Sequence, residues 1–522
     1  MKGKIMSARE AVGLIKDGDT VAITSAGMVG YPEYMSKALL ECFLETGSPK
    51  NLTISAGCGH GLPFDSRLGD SKLGVPGLLK RYIGSHPDVV PPVRAMIFNN
   101  EIEGYALPQG ILNQLYRCAA AKQAGVLSKI GMGTYIDPRQ EGGRLNGISK
   151  ESLVEFMEIQ GEEWLFYKSY PINVAIIRAT TADESGNLTI EQEALKLEIL
   201  EAALAAKASK GTVIAQVKRV AADKSLRPKD VVVPGNIVDA VVVAEEPEEN
   251  HRQTKGTLYS PHLSGELRRP SGGAARPKPV LAADDVICRR AVFELWPGAV
   301  VNIGVGIGAG IGDVADSEGI RDRITFTLEL GTFGGVPTPL SDFGAAVNAE
   351  AYIAHPSMFD YYHGGGLDIT FLGTAQVDRA GNVNVSKFGN RPAGQGGFID
   401  ISQTSGKVVF VTYFTAKGFE SEIGGGRLNI VKEGQIQKFV DRVEQITFNG
   451  AMAAKEGKEA VYVTERAVFR LTGEGLVLTE IAPGADLEND VLRNMGFTPI
   501  ISGDLKVMDP RIFTPGRMGA FD

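Results

Sequence analysis

The chain reads as an α/β protein made of two tandem, related α/β domains with largely parallel sheets. Three observations predict this. Apolar runs of strand length alternate with helical patterns through both halves. A block near the N-terminus recurs past the middle of the chain. Composition breaks sharply between the halves.

The elements follow in order. Ser7-Ala8-Arg9-Glu10 is a capping box. Its serine hydroxyl can accept from a first-turn amide, and its glutamate can reach back to the cap amide. Ala11, Leu14 and Ile15 form one apolar helical face, closed by Gly18. Val21-Ala22-Ile23 is a buried strand. Gly27 and Gly30 follow, and Pro32-Glu33 opens a second helix with proline in its first turn. This order returns later. A helix over 289–295 stops at Pro297-Gly298, and a strand over 299–303 follows. Ala11, Val12, Gly18, Val21 and Ile23 match Ala291, Val292, Gly298, Val301 and Ile303 without gaps.

A second block keeps the same order. Asp183, Gly186 and Asn187 match Asp378, Gly381 and Asn382, each in a turn after an apolar strand. Gly211 and Val213 match Gly406 and Val408. Two ordered blocks indicate a duplicated domain. Strands are predicted over 173–177, 213–217, 238–243, 368–372 and 408–413, and an amphipathic helix over 192–208.

The boundary lies after the acidic run Glu245-Glu246-Pro247-Glu248-Glu249. A stretch rich in proline, glycine and arginine follows and reads as an ordered or partly ordered linker. Its Arg268, Arg269 and Arg276 are interrupted by prolines, which suits a solvated linker better than a nucleic-acid patch. The division is therefore 1–250, a linker over 251–281, and 282–522.

Composition narrows the function classes. An apolar fraction of 43% and a charged fraction of 22% in 522 residues describe a packed globular protein. A net charge of −8 argues against a nucleic-acid binder. Cys42, Cys58, Cys118 and Cys288 are far apart and form no CxxC pair, which suits a reducing, cytoplasmic setting. No apolar run reaches membrane-spanning length, and the first residues lack a signal-peptide core. With six histidines in all, a histidine-based zinc site is not expected.

Several stretches could carry chemistry. Residues 324–335 run from an alternating strand into a glycine-rich loop, with Glu329 at the junction. The carboxylate is either a reacting group or a solvated strand end. Gly304-Val305-Gly306-Ile307-Gly308-Ala309 satisfies the G-x-G-x-x-A dinucleotide fingerprint, and Glu329 falls about where a ribose-binding acid should. A nicotinamide-dependent oxidoreductase is therefore one reading. Glycine at every second position also suits a loop whose free amides hold another anionic or thioester group. His363-Gly364-Gly365-Gly366 resembles an esterase oxyanion loop, but no G-x-S-x-G elbow accompanies it, so a turn is expected. Cys58-Gly59-His60 reads as a packed thiol and a surface imidazole. Gln109 precedes a helix over 111–121, where its amide could meet an anion or simply be exposed. Residues 394–400 form a second glycine-rich loop, expected to lead into a strand.

Taken together, these stretches resemble the class I CoA-transferase family, in its fused single-chain form. The resemblance rests on Gly27-Met28-Val29-Gly30-Tyr31-Pro32-Glu33, Pro108-Gln109-Gly110, Asn302-Ile303-Gly304-Val305-Gly306, Glu329-Leu330-Gly331, Gly364-Gly365-Gly366-Leu367-Asp368 and Gly396-Gly397-Phe398-Ile399-Asp400. Residues 378–389 are similar to the acetate, propionate and acetoacetate transferases. The resemblance implies an active site between the two domains. It puts the nucleophile on Glu329, which would carry a glutamyl-CoA thioester in a ping-pong reaction. Oxyanion and substrate contacts would fall on Gln109, Gly397 and Gly30. Coenzyme A contacts would fall on Asn302, Ile303, Gly304, Val305, Gly306 and Gly396. It further implies acyl-CoA and short-chain carboxylic acids as partners, no cofactor or metal beyond coenzyme A as substrate, and a homo-oligomer, dimer or tetramer. The chain departs from the family at Leu328 and Leu330, which flank the glutamate. It also departs at Ser55-Ala56-Gly57, where ketoacid transferases carry an asparagine. The acyl group is left open. A non-catalytic coenzyme A or metabolite sensor would share the binding motifs and lack turnover.

Overall fold

The computed structural model describes residues 3–270, 278–304, 306–338, 340–389 and 391–522. Arg276 and Val305, both singled out above, lie outside the described residues. The chain divides into two compact units. The first holds Met1–Arg269, Glu329–Asp360 and Asn390–Asp400, and the second holds Pro270–Leu328, Tyr361–Gly389 and Ile401–Asp522.

The first unit is built on seven parallel strands: β1 (Thr20–Ile23), β2 (Leu52–Ala56), β3 (Leu79–Gly84), β4 (Glu103–Ala106), β5 (Val174–Asp183), β6 (Thr212–Ala221) and β7 (Ala240–Val243). Their order is β7-β6-β5-β1-β2-β3-β4, and every pairing along it is parallel. Alternate side chains serve opposite faces. Val21, Ile23, Val174 and Ile176 enter one core cluster, while Ala22, Ala175 and Ile177 enter another. Both faces are covered, so all ten residues of β5 are buried. An antiparallel three-stranded sheet from Gly125–Ser128, Val154–Ile159 and Glu162–Lys168 is inserted before β5.

The second unit repeats this plan with β8 (Val300–Ile303), β9 (Thr325–Leu328), β10 (Ile369–Gly373), β11 (Lys407–Val411) and β12 (Glu459–Val463). Their order, β9-β8-β10-β11-β12, reproduces β2-β1-β5-β6-β7 and is parallel throughout. Beyond β12 the sheet continues with Ala467–Thr472, Gly475–Ile481 and Ile500–Val507, the first two of which pair antiparallel. The duplication read from sequence also extends to hydrogen bonds. Asn187 Nδ2 donates to Asp183 Oδ2 at 2.8 Å, and Asn382 Nδ2 to Asp378 Oδ2 at 3.0 Å. Gly186 and Gly381 take φ of +88° and +76° in the two turns. Asn187 Oδ1 then accepts from Gly235 N and Asn382 Oδ1 from Gly450 N.

Several expectations are corrected. The helix predicted over 192–208 is Ile199–Ala208, because Leu197 takes a left-handed φ of +51° and breaks the run. The first helix is Ala8–Val12 and ends at Gly13, well before Gly18, although its capping box forms as expected. The loop over 394–397 leads into a helix, Phe398–Thr404, rather than a strand. The imidazole of His60 is fully buried, with Nδ1 3.0 Å from Asp70 Oδ2. The division at 251–281 also differs from the compact units. His251, Gln253, Thr254 and Leu263 are buried in the first unit, and 329–360 and 390–400 belong to it as well. Composition marks where charge and proline accumulate, whereas packing follows where backbone and side-chain hydrogen bonds close. Among the described residues, no helix is long and apolar enough to cross a membrane.

The start of that former linker carries a titratable knot. Arg178 Nη2 lies 3.1 Å from Glu193 Oε2, and His251 Nε2 lies 3.3 Å from Glu193 Oε1, all three buried. Burial works against ionising Glu193, but Arg178 and His251 outweigh it and hold the carboxyl down at about 2. Burial, reinforced by Arg178, pushes His251 down to about 4 against the pull of Glu193. Both folded values lie below the unfolded ones. Their stabilisation is therefore complete above about pH 6.5 and is lost as pH falls, first through His251 and then through Glu193. Urea unfolding at pH 4.5 should show a loss of about 1–3 kcal/mol relative to pH 7.5. His251→Gln should flatten the curve between pH 4 and 6.5, and an unchanged slope would refute the assignment.

Candidate active site

Parallel sheets leave ligand sites beyond the carboxyl ends of their strands, where the strand order reverses. In the first unit the reversal falls between β1 and β5, and the residues following β1 to β4 converge there. Ser25 follows β1, Gly57 and Cys58 follow β2, Ser85 and His86 follow β3, and Gln109 follows β4.

Gln109 opens the helix Gln109–Ala120 and is buried, so the exposed alternative does not hold. Its Nε2 lies 2.9 Å from His355 Nε2. His355 Nδ1 lies 2.9 Å from Glu198 Oε2, and Glu198 Oε1 accepts from Ser25 N at 3.2 Å. Asn113 Nδ2 donates to the carbonyls of Gln109 and Gly57, tying the helix to the end of β2. A Cβ built on Gly57 would lie 3.4 Å from Glu198 Cδ, so this glycine makes room for the buried carboxylate.

Glu329 directly follows β9 and is half-buried. It belongs with the first unit, where its neighbour Leu330 enters the core with Leu195 and Leu197. The Cys58 thiol registers it: burial pushes this group up first, and the Glu329 and Glu198 carboxylates push it further. The thiol is therefore no thiolate nucleophile, as expected for a packed cysteine. The loop after Glu329 is set by Gly331, at φ +106°, whose C=O faces the neighbouring turn. Its carbonyl accepts from Ile353 N at 2.9 Å, and a Cβ there would be driven into the Ile353 carbonyl oxygen. Gly331→Ala should lower kcat at least tenfold, because about 1–2 kcal/mol of left-handed strain adds to that clash and displaces Glu329. The check is steady-state transfer beside a thermal melt, and an intact kcat would show that the loop tolerates the shift.

The segment over 390–400 completes this region. Gly396 N donates to Ser85 O at 2.9 Å, and Gln395 N to the same carbonyl at 3.0 Å. A Cβ on Gly396, at φ +57°, would lie 3.7 Å from Gln109 Oε1 and 3.6 Å from His86 Nδ1. Gly397 is buried just before the helix Phe398–Thr404. Burial pushes the His86 imidazole down. Arg391 anchors the segment through two bonds to Asp88, at 2.8 and 2.6 Å. Gly30, at φ +69°, serves packing: a Cβ there would stand 2.5 Å from Leu197 Cδ1.

In the second unit the loop after β8 occupies the equivalent reversal point, between β8 and β10. Asn302 is buried, accepting from Thr370 Oγ1 at 3.1 Å and donating to Tyr362 Oη at 3.3 Å, so its side chain is held inside the unit. Ile303 is core. Gly304 N donates to Phe371 O at 2.9 Å. Gly306, at φ +88°, is exposed with open space where a Cβ would stand, leaving its backbone accessible. A 3-10 turn over Gly306–Ala309 intervenes before the helix Gly310–Glu318. A dinucleotide fingerprint instead runs straight into its helix.

Sequence reasoning missed His355 and Glu198. Glu198 was absorbed into the helix expected over 192–208, and His355 belongs to no motif. The one available signal was the scarcity of histidine, which makes each one worth placing.

Comparison with known proteins identifies the family. A family model described as Coenzyme A transferase matches residues 5–244. The chain is 46% identical over 517 residues to a caffeate CoA-transferase of Acetobacterium woodii, covering 98% of this chain and 97% of that protein. It is 42% identical over 516 residues to the acetate CoA-transferase YdiF of Escherichia coli O157:H7, covering 99% and 96%. The crystal structure of the acyl-CoA transferase YdiF from the same organism, a thioester complex with CoA, superposes with a TM-score of 0.93 at 41% identity, covering 99% of this chain and 97% of that one. These full-length matches displace the nicotinamide and sensor readings, and on them the chain belongs to the coenzyme A transferase family and is a CoA-transferase.

Proposed function

We propose that this enzyme moves coenzyme A between short-chain carboxylic acids through a thioester on Glu329. The observation that carries the reading is the placement of Glu329. It is a half-buried carboxylate directly after a parallel strand, in the same compact unit as Gln109, Gly396 and Gly397, and its charge, like that of Glu198, acts on the Cys58 thiol. Likeness to an acetate CoA-transferase along the whole chain supports the acid class.

The chemistry follows from the carboxylate. Its oxygen attacks the thioester carbonyl of an acyl-CoA, giving an acyl-glutamyl anhydride and the CoA thiolate. The thiolate attacks the glutamyl carbonyl, which forms the glutamyl-CoA thioester and releases the first acid as its carboxylate. A second carboxylate attacks that thioester, giving a new anhydride and the thiolate again. The thiolate then takes the new acyl group and restores Glu329. No ATP is consumed, because one thioester replaces another. Each step builds an oxyanion, and one well-placed donor is worth about 3–4 kcal/mol. The Gly397 amide is the candidate donor, Gln109 would meet the substrate through its side-chain oxygen, and the Gly304 and Gly306 backbone would meet coenzyme A. No cofactor is needed beyond coenzyme A itself. A cytoplasmic homo-oligomer fits the acidic, cysteine-poor composition and the family.

The test is mass spectrometry after mixing the enzyme with acetyl-CoA, with and without borohydride. A CoA-bearing adduct that borohydride converts to a reduced residue at Glu329 is expected. An adduct elsewhere, or none while transfer proceeds, would overturn the mechanism. A competition among acetate, propionate, acetoacetate and caffeate then ranks the acceptors. Preference for caffeate would replace the short-chain assignment.

A further inference from the structure

The buried chain Ser25–Glu198–His355–Gln109 has a direction. Glu198 is fully buried and, as a carboxylate, can only accept. One oxygen takes the Ser25 N–H at 3.2 Å, so the other, 2.9 Å from His355 Nδ1, requires a proton on that nitrogen. His355 is itself fully buried, and its remaining nitrogen, Nε2, faces Gln109 Nε2 at 2.9 Å. An amide NH2 can only donate, so His355 Nε2 is the acceptor and the ring is the neutral Nδ1–H tautomer. The Gln109 oxygen is then turned the other way, towards Gly396, where a Cβ would lie 3.7 Å from it.

We propose that Glu198 and His355 are positioning residues that set which end of the Gln109 amide faces the Gly396 loop. The polarity begins at a backbone amide, passes through a carboxylate and an imidazole, and ends on the one side chain of the chain that reaches the site. Reversing any member reverses the last. The inference rests on Gln109 lying in the transfer site, but not on Glu329 being the nucleophile.

Glu198→Gln is the informative change. Its oxygen can still accept from Ser25 N, and its NH2 then donates to His355 Nδ1. This forces the Nε2–H tautomer and turns the Gln109 NH2 outward. In the full-length enzyme, the substitution should lower kcat/KM for CoA transfer about tenfold, chiefly through kcat. In a Gln109→Ala background the same substitution should cost less than about twofold, since no amide remains to orient. Enzyme concentrations high enough to follow the slow double variant make the comparison readable. Equal losses in both backgrounds would show Glu198 to be merely structural and overturn the proposal. Should Glu198→Gln melt before assay, His355→Gln carries the same cycle. It places an amide near the Nε2 position and should likewise lose its effect without Gln109, whereas an undiminished loss again overturns the idea. Transfer rates report this coupling whether or not a Glu329 adduct is trapped, so the two failures are distinguishable.

Discussion

Glu329→Gln is expected to reduce CoA transfer by roughly 10⁴-fold or more, with the fold and coenzyme A binding retained. Water as solvent makes a carboxylate a poor attacker of thioesters. Fixing it against the thioester can supply about 7–11 kcal/mol of the barrier as effective concentration. The amide is nearly isosteric, so packing around Leu330 and Gly331 should survive, but it has no anionic oxygen to form the anhydride. Glu329→Asp keeps the charge and withdraws it by one methylene, which should cost about 100-fold through misplacement alone. Single-turnover assays with acetyl-CoA, beside thermal melts, separate the two variants. Near-wild-type rates in Glu329→Gln would remove this residue from the reaction.

The largest stability effect is expected at Arg466 in the second unit. Its side chain is fully buried, as is that of Glu465. Arg466 Nε donates to Glu465 Oε1 at 2.6 Å, and its two terminal nitrogens bond Glu433 at 2.6 and 3.0 Å. The guanidinium also lies 5.0 Å from the Phe414 ring centre and 4.9 Å from that of Phe419. Removing the cation leaves Glu465 as an uncompensated buried carboxylate, so Arg466→Met should cost about 3–5 kcal/mol in chemical denaturation. Burial already holds Glu465 above its ordinary value, with Arg466 opposing. Losing Arg466 raises it further. A raised folded value favours the folded state below the unfolded pKa, and that benefit is lost as pH rises through the folded value. The variant should therefore be less impaired at pH 5 than at pH 8. Adding Glu465→Gln should recover most of the loss, because the amide needs no counter-charge and can still accept from Phe414 N at the Oε2 position. Failure of that rescue would place the cost in lost packing.

Much of the fold was legible because its signals are local. A capping box, apolar strands and glycine turns depend on neighbours a few residues away. The repeat of Asp183-Gly186-Asn187 as Asp378-Gly381-Asn382 carried the same hydrogen bonds into both units. The strand ending at Leu328 was readable, and Glu329 with it, since a strand's end and a glycine loop adjoin in sequence. Boundaries that turn on one residue's conformation were not readable. Leu197 in the left-handed region ended the helix expected over 192–208 and freed Glu198 to point inward.

Sequence alone determined the α/β class, the duplication and the family, and it singled out Glu329 as the candidate nucleophile, because each is written in contiguous motifs whose chemistry is local. Tertiary structure alone decided that Glu198, His355 and Gln109, widely separated along the chain, share one buried line of hydrogen bonds. It also decided that 329–360 and 390–400 pack with the first unit rather than with their sequence neighbours. The physical reason is that burial and hydrogen-bond direction are properties of neighbours in space. A lone glutamate or histidine in sequence carries no sign of which donor or acceptor will face it.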